Sequence, residues 1–181
     1  FRLKKQRSKL RVLNKVAESS SFQSFPAPTM PSASVARQMP VPSSEVFDLL
    51  HDYDRRLEWD TLLREAHLTR GHKFAKKGAT SLCVGKPFFG FIGVETEYLT
   101  FSPGKIAAVK MINSPPFFES FAASIRHEDN AEGSLATYKL KFTARPRLLR
   151  WLLHPFMLIA LRHETKKRLE ALALFLGKPG P

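Results

Sequence analysis

The chain has 181 residues, 43% hydrophobic and 11% aromatic, which is enough for one ordinary domain with its own core and too few for two. Thirteen prolines and nine glycines rule out a collagen-like or low-complexity chain, and no apolar run is longer than the six residues of Phe156 to Leu161, far short of a membrane-spanning helix. The net charge of +13 suggests nucleic acid at first, but it sits at the two ends. Residues 1–31 carry seven Lys/Arg against one Glu, residues 145–181 carry eight against two, and the stretch between carries fourteen against thirteen. A nearly neutral body argues against a specific nucleic-acid partner.

Residues 1–31 are basic, then Ser-rich, then Pro-rich, and are expected to form a disordered tail. Their Arg- and Ser-rich, acid-poor composition also reads as a truncated organelle transit segment. One cysteine, Cys83, allows no internal disulfide and no Cys-based zinc site. With no apolar signal-peptide core near the amino end, a cytoplasmic location is the expectation, organelle targeting the alternative.

Patterning starts at Ser32. Ser34 to Val41 reads as a strand ended by Pro42. Ser43 then caps a helix whose Val46, Leu49 and Leu50 make an i, i+3, i+4 stripe. A second short helix is predicted over Asp54 to Leu63, with Trp59 as a plug under the sheet or a wall residue. Strands follow at Glu65–Arg70, Thr80–Gly85, Phe91–Phe101, Lys105–Ile112, Phe118–His127 and Leu135–Ala144, separated by turn signals such as Ser102-Pro103-Gly104. Alternation puts Ile92, Val94 and Tyr98, then Phe121, Ala123 and Ile125, then Tyr138, Leu140 and Phe142 on single faces. Arg147 to Leu153 offers a first helical turn or two, and from Phe156 to Leu176 the period is helical and stops before Gly177. Pro155 is placed at the start of this helix or at a kink, and residues 178–181 form a short tail.

Strand, two short helices, six strands and one long helix give an α+β chain. Its curved antiparallel sheet of about seven strands must bury the helix stripe. This order resembles the helix-grip fold of the START and birch-pollen-allergen (SRPBCC) superfamily, and within it the polyketide cyclase/dehydrase and lipid-transport family. The resemblance rests on Met39-Pro-Val-Pro-Ser-Ser-Glu-Val-Phe-Asp-Leu-Leu, on Tyr53 to Asp60 ending in Glu58-Trp59-Asp60, and on the hairpin Phe118 to Thr137 with Gly133 at its turn. It covers about Ser32 to Leu176, so a domain over 32–177. It implies a cavity between sheet and helix for a hydrophobic small molecule: a lipid, sterol, isoprenoid or polyketide. Some relatives use that cavity for cyclisation or dehydration, so a carrier and a cyclase/dehydrase are the two readings. The family has no invariant catalytic signature.

The expected cavity wall comprises Ile92, Val94, Tyr98, Phe121, Ala123, Tyr138, Leu140 and Phe142 from the sheet, with Phe156, Ile159 and His163 from the helix. Two Pro-Phe-Phe loops place Phe88, Phe89, Phe117 and Phe118 at the cavity mouth or in a secondary core. Tyr98, Glu119, Tyr138 and His163 are the acid/base candidates an enzyme would need, although no residue is assigned as catalytic. The six histidines show no ligand spacing, and no phosphate loop or dinucleotide motif occurs, so neither metal nor cofactor is expected. Lys166-Lys167-Arg168 reads as a solvated helix face. This run, or the aromatic loops, would give weak contact with an anionic membrane surface. Nothing in the sequence sets an oligomeric state.

Overall fold

The structure, a computed structural model, describes residues 30–86 and 92–178. The predicted amino-terminal tail up to residue 29, Phe88, Phe89 and residues 179–181 lie outside the described residues.

The elements are β1 (Ser32–Met39), α1 (Ser43–His51), α2 (Arg56–Trp59), β2 (Leu63–Thr69), β3 (Thr80–Gly85), β4 (Gly93–Ser102), β5 (Ile106–Met111), β6 (Phe118–Asn130), β7 (Gly133–Ala144) and, after a 3₁₀ turn, α3 (Arg150–Leu176). The seven strands form one antiparallel sheet in the order β1-β7-β6-β5-β4-β3-β2. Sequence neighbours pair throughout except at β1, which closes onto β7. Short turns permit this, because antiparallel partners need no crossover. Three bulges re-aim the strands. The one between Tyr98 and Thr100 turns Leu99 outward and puts Phe101 on the same side as Tyr98, ring centroids 5.4 Å apart.

Several boundaries differ from the sequence reading. The first strand stops at Met39, because Pro40 and Pro42 hold the chain in a bend. The second helix shrinks to one turn over Arg56–Trp59. The polar stretch after Glu128 continues as strand to Asn130, leaving a two-residue hairpin loop. The long helix begins at Arg150, with Pro155 inside it. Trp151, whose carbonyl loses its helical donor to that proline, is exposed, so water can take the donor's place.

Two apolar clusters hold α3 to the sheet. The larger joins α1 (Val46, Phe47, Leu49, Leu50), Trp59, Tyr98, Ile125 and Ala136 to Leu169 and Leu172 of α3. Trp59 is thus a buried plug and not a cavity wall. The smaller joins Phe118, Ala123, Leu140 and Phe142 to Met157, Leu158 and Leu161. Between the two clusters the helix spans a hollow in the sheet.

Candidate functional site: a cavity between the sheet and the long helix

The hollow is a cavity of about 230 Å³. Its sheet wall contains Ile92, Val94, Tyr98, Phe121, Ala123 and Tyr138, all expected there, with Ala107, Val109 and Ile125 beside them. Phe118 also lines it, so this residue is wall and not loop tip. Phe117 is exposed at a positive φ of 66° outside the cavity. Leu140 and Phe142 were expected on the wall, but both are packed away in the smaller apolar cluster.

The helix residues expected in the cavity are not there. Phe156, Ile159 and His163 face outward, while Leu161, Glu164 and Arg168 face the cavity. The physical cause is simple. Phe156 to Leu161 is apolar at every position, so the pattern carries no phase, and the phase is set by the more polar second half. There Thr165, Leu169 and Leu172 are buried, and counting back from them puts Met157, Leu158 and Leu161 inside.

The sequence reading named Tyr98 and Tyr138 here but missed their polar partners. At one end, His51 Nδ1 lies 2.9 Å from Tyr98 Oη, and Tyr53 Oη lies 3.0 Å from the same oxygen. Tyr98 can therefore donate to one neighbour and accept from the other. His51 Nε2 is buried with no partner among the described residues. Burial, reinforced by Arg56 and His127, holds the His51 pKa well below 6.5, so the ring is neutral at pH 7. Burial likewise pushes the Tyr98 hydroxyl well above 10, and those of Tyr53 and Tyr138 upward, so all three stay protonated. Cys83 lines the same wall, with its thiol pKa raised by burial.

At the helix side, Asp60 joins two arginines. Arg56 Nε donates to Asp60 Oδ2 at 3.0 Å, and Arg168 donates to that oxygen from Nε at 3.1 Å and Nη2 at 2.8 Å. Arg168 was expected on a solvated face with Lys166 and Lys167. Those two are exposed, but Arg168 turns inward. Arg56 also lies over the Trp59 ring, 4.7 Å from its centroid. Burial alone would raise the Asp60 carboxyl, but Arg168 and Arg56 together outweigh it and hold the carboxyl below its ordinary value. Glu119, one of the acid/base candidates, is outside the cavity, tied to Arg147 at 3.3 Å and to Arg150.

His51 and a second buried histidine, His127, predict a stability profile. Burial lowers the His127 pKa from 6.5 to about 4, against partial opposition from Asp129. Between those values the unfolded chain takes up a proton that the folded chain refuses. Stability is therefore complete above pH 6.5 and falls as the pH drops toward 4, by about 2–3 kcal/mol for His127 alone. Urea denaturation at pH 7 and pH 4.5 checks this. The loss should shrink in His127→Leu, and an unchanged loss would place its origin elsewhere.

A seven-stranded sheet gripping a long carboxy-terminal helix, with a largely apolar cavity between them, defines a helix-grip ligand-cavity protein. The model of the polyketide cyclase/dehydrase and lipid-transport family matches residues 30–174, and the chain belongs to that family. A search of curated protein sequences gives no significant match. Among solved structures, the chain is similar to TTHA0849 from Thermus thermophilus (TM-score 0.69, 12% identity), covering 81% of this chain and 97% of that one. It is also similar to the Zhui aromatase/cyclase from Streptomyces sp. R1128 (TM-score 0.68, 10% identity, 82% and 94%). A third is Ara h 8.0201 (TM-score 0.61, 9% identity, 82% and 98%). At these identities the likeness is one of fold.

Proposed function

We propose that this protein binds and carries a hydrophobic small molecule, of lipid, sterol, isoprenoid or polyketide type, in the cavity between the sheet and α3. The observation that supports it most is the wall itself: aliphatic and aromatic side chains from β4, β5 and β6 under a helix, with few polar groups to orient a ligand. Membership of a family described by cyclisation, dehydration and lipid transport agrees with such a cargo. The volume, about 230 Å³, lies below the ~300–1,000 Å³ usual for ligand pockets, which favours a compact ring system or one end of a longer chain.

One observation favours turnover as a second reading. The neutral His51 beside the Tyr98 and Tyr53 hydroxyls is a hydrogen-bonded base and acid set on the cavity wall, the arrangement a cyclase or dehydrase needs.

Native mass spectrometry of the protein purified from a lipid extract identifies the cargo, and Tyr98→Phe then separates the readings. In a carrier the change removes one hydroxyl and weakens binding by at most about 1–2 kcal/mol. In an enzyme that uses this hydroxyl, turnover of a polyketide-type substrate falls roughly 100-fold or more while binding hardly changes. The expected result is the first. A protein that retains no apolar molecule from any extract would overturn both.

A further inference from the structure

The first half of α3 is apolar on both sides. Its inner side, Met157, Leu158 and Leu161, packs against the smaller core cluster. Its outer side is unpartnered: Leu148 is 88% exposed, Trp151 77%, Phe156 66% and Ile159 69%. Trp151, Phe156 and Ile159 share the broad outer face of the helix over about 12 Å, by the helical rise of ~1.5 Å per residue, and Leu148 lies in the 3₁₀ turn that leads into it. Phe117, also exposed, is held beside the chain that leads into this segment, because the Arg145 N–H donates to its carbonyl at 2.9 Å. A helix apolar all round is normally covered by protein or by lipid.

Charge decides between possible covers. Residues 145–163 contain four arginines and no acidic residue. Arg147 and Arg150 are paired with Glu119, whereas Arg145 and Arg162 stand without an ion pair among the described residues. Beyond the apolar face the outer side of the helix continues as Arg162, His163, Lys166 and Lys167, all exposed, the two lysines lying 4.0 Å from Glu170 and 3.5 Å from Glu164 in solvent-screened pairs. An apolar face bracketed by cations suits an anionic, greasy surface. A second copy would set like charges against each other across a two-fold axis. A nucleic acid would gain nothing from exposed Leu and Ile. No helix among the described residues is long and apolar enough to cross a membrane, so contact would be in the plane of the interface.

We propose that the outer face of the 3₁₀ turn and the first half of α3, from Leu148 to Ile159, with Phe117, docks on an anionic lipid bilayer, its flanking arginines and lysines meeting the headgroups. Docking there puts the membrane on the back of the part of α3 just before Leu161, Glu164 and Arg168, which roof the cavity. The surface does not depend on what the cavity holds, so this proposal can fail while the ligand reading stands.

The chain carries its own probe. Trp59 is buried and Trp151 is exposed, so a blue shift of emission on adding vesicles reports Trp151. Vesicles of phosphatidylcholine with about a third phosphatidylglycerol should sediment the full chain at least tenfold more strongly than pure phosphatidylcholine, with salt weakening the effect. The double variant Phe156→Ser, Ile159→Ser should lose at least tenfold in binding with an unchanged melting temperature, because both side chains are exposed. Replacing Arg162, Lys166 and Lys167 by Gln should remove most of the preference for anionic lipid. Vesicles that fail to sediment the protein, or a double variant that binds like the parent, would overturn the proposal. So would a dimer that the double variant dissolves, or binding to a single-stranded oligonucleotide with no binding to vesicles.

Discussion

Asp60→Ala is expected to destabilise the fold by about 3–5 kcal/mol, because it strands two arginines beside an apolar cavity. The Asp60 side chain is fully buried, and Arg56 and Arg168 are 9% and 19% exposed. All three contacts to the arginines converge on Oδ2, while Oδ1 accepts the Leu62 N–H at 3.3 Å. The carboxylate thus neutralises one guanidinium fully and ties α2 to α3 across 108 positions of sequence. Removing it leaves the desolvation cost of both cations in place and deletes their attraction. Asp60→Asn keeps the shape and loses the charge, so most of the penalty should persist. The pair Asp60→Leu, Arg168→Met should recover much of it, since exchanging a buried ion pair for apolar side chains is often near neutral. Equilibrium urea unfolding provides the measurement. A loss below about 1 kcal/mol for Asp60→Ala would mean that the arginines reach water through the cavity. The sign with pH follows from the depressed carboxyl pKa: this stabilisation is present above its ordinary value near 3.8 and is lost as the pH falls below that value, through the folded-state pKa.

Gly133→Ala should cost about 3–5 kcal/mol, combining a backbone term and a packing term. Gly133 has a φ of 121°, a region that side chains rarely occupy. An added Cβ would stand 2.4 Å from the Met39 carbonyl oxygen and 2.9 Å from backbone atoms of Pro40 and Val41. Those atoms belong to the Pro40–Pro42 bend, which Ser134 Oγ fixes by donating to the Val41 carbonyl at 2.8 Å. Neither side of the contact can yield without moving β1 or the β6–β7 hairpin. Gly78 is an internal control, since its φ of 81° carries the conformational strain but a Cβ there meets nothing within 4 Å. Gly78→Ala should cost only about 1–3 kcal/mol. Equal losses at the two sites would show that conformation alone, and not the close approach, explains Gly133.

Much of the fold is legible in the chain itself. The strands around Ile92–Tyr98, Phe121–Ile125 and Tyr138–Phe142 alternate cleanly because one face of each is buried, and a period of two leaves no ambiguity about side. The turn residues are equally local signals. The carboxy-terminal helix is legible as a helix, and the order of elements is enough to suggest the family. Six of the eight sheet residues expected in the cavity line it, since face follows from parity.

Two things needed the tertiary structure. One is how far along a strand the cavity extends: Leu140 and Phe142 share the inner face with Tyr138, but only contact with Met157, Leu158 and Leu161 closes the space over them. The other is rotation of the helix about its own axis. A run of six apolar residues has no preferred side, so the choice between Phe156–Ile159 and Leu158–Leu161 was made elsewhere, by Thr165, Leu169, Leu172 and above all by Arg168 reaching Asp60. That contact also explains why the polar half of the site was unreadable. Arg56, Asp60 and Arg168, like His51 and Tyr53, are ordinary surface or helix residues one at a time, and they become a buried network, with Tyr98 of the inward strand face, only when distant segments meet. Composition and periodicity are properties of neighbours in the chain. The sequence by itself therefore determined the elements, their faces and their order, whereas burial of charge depends on partners brought together across the fold, and only the packed structure decided it.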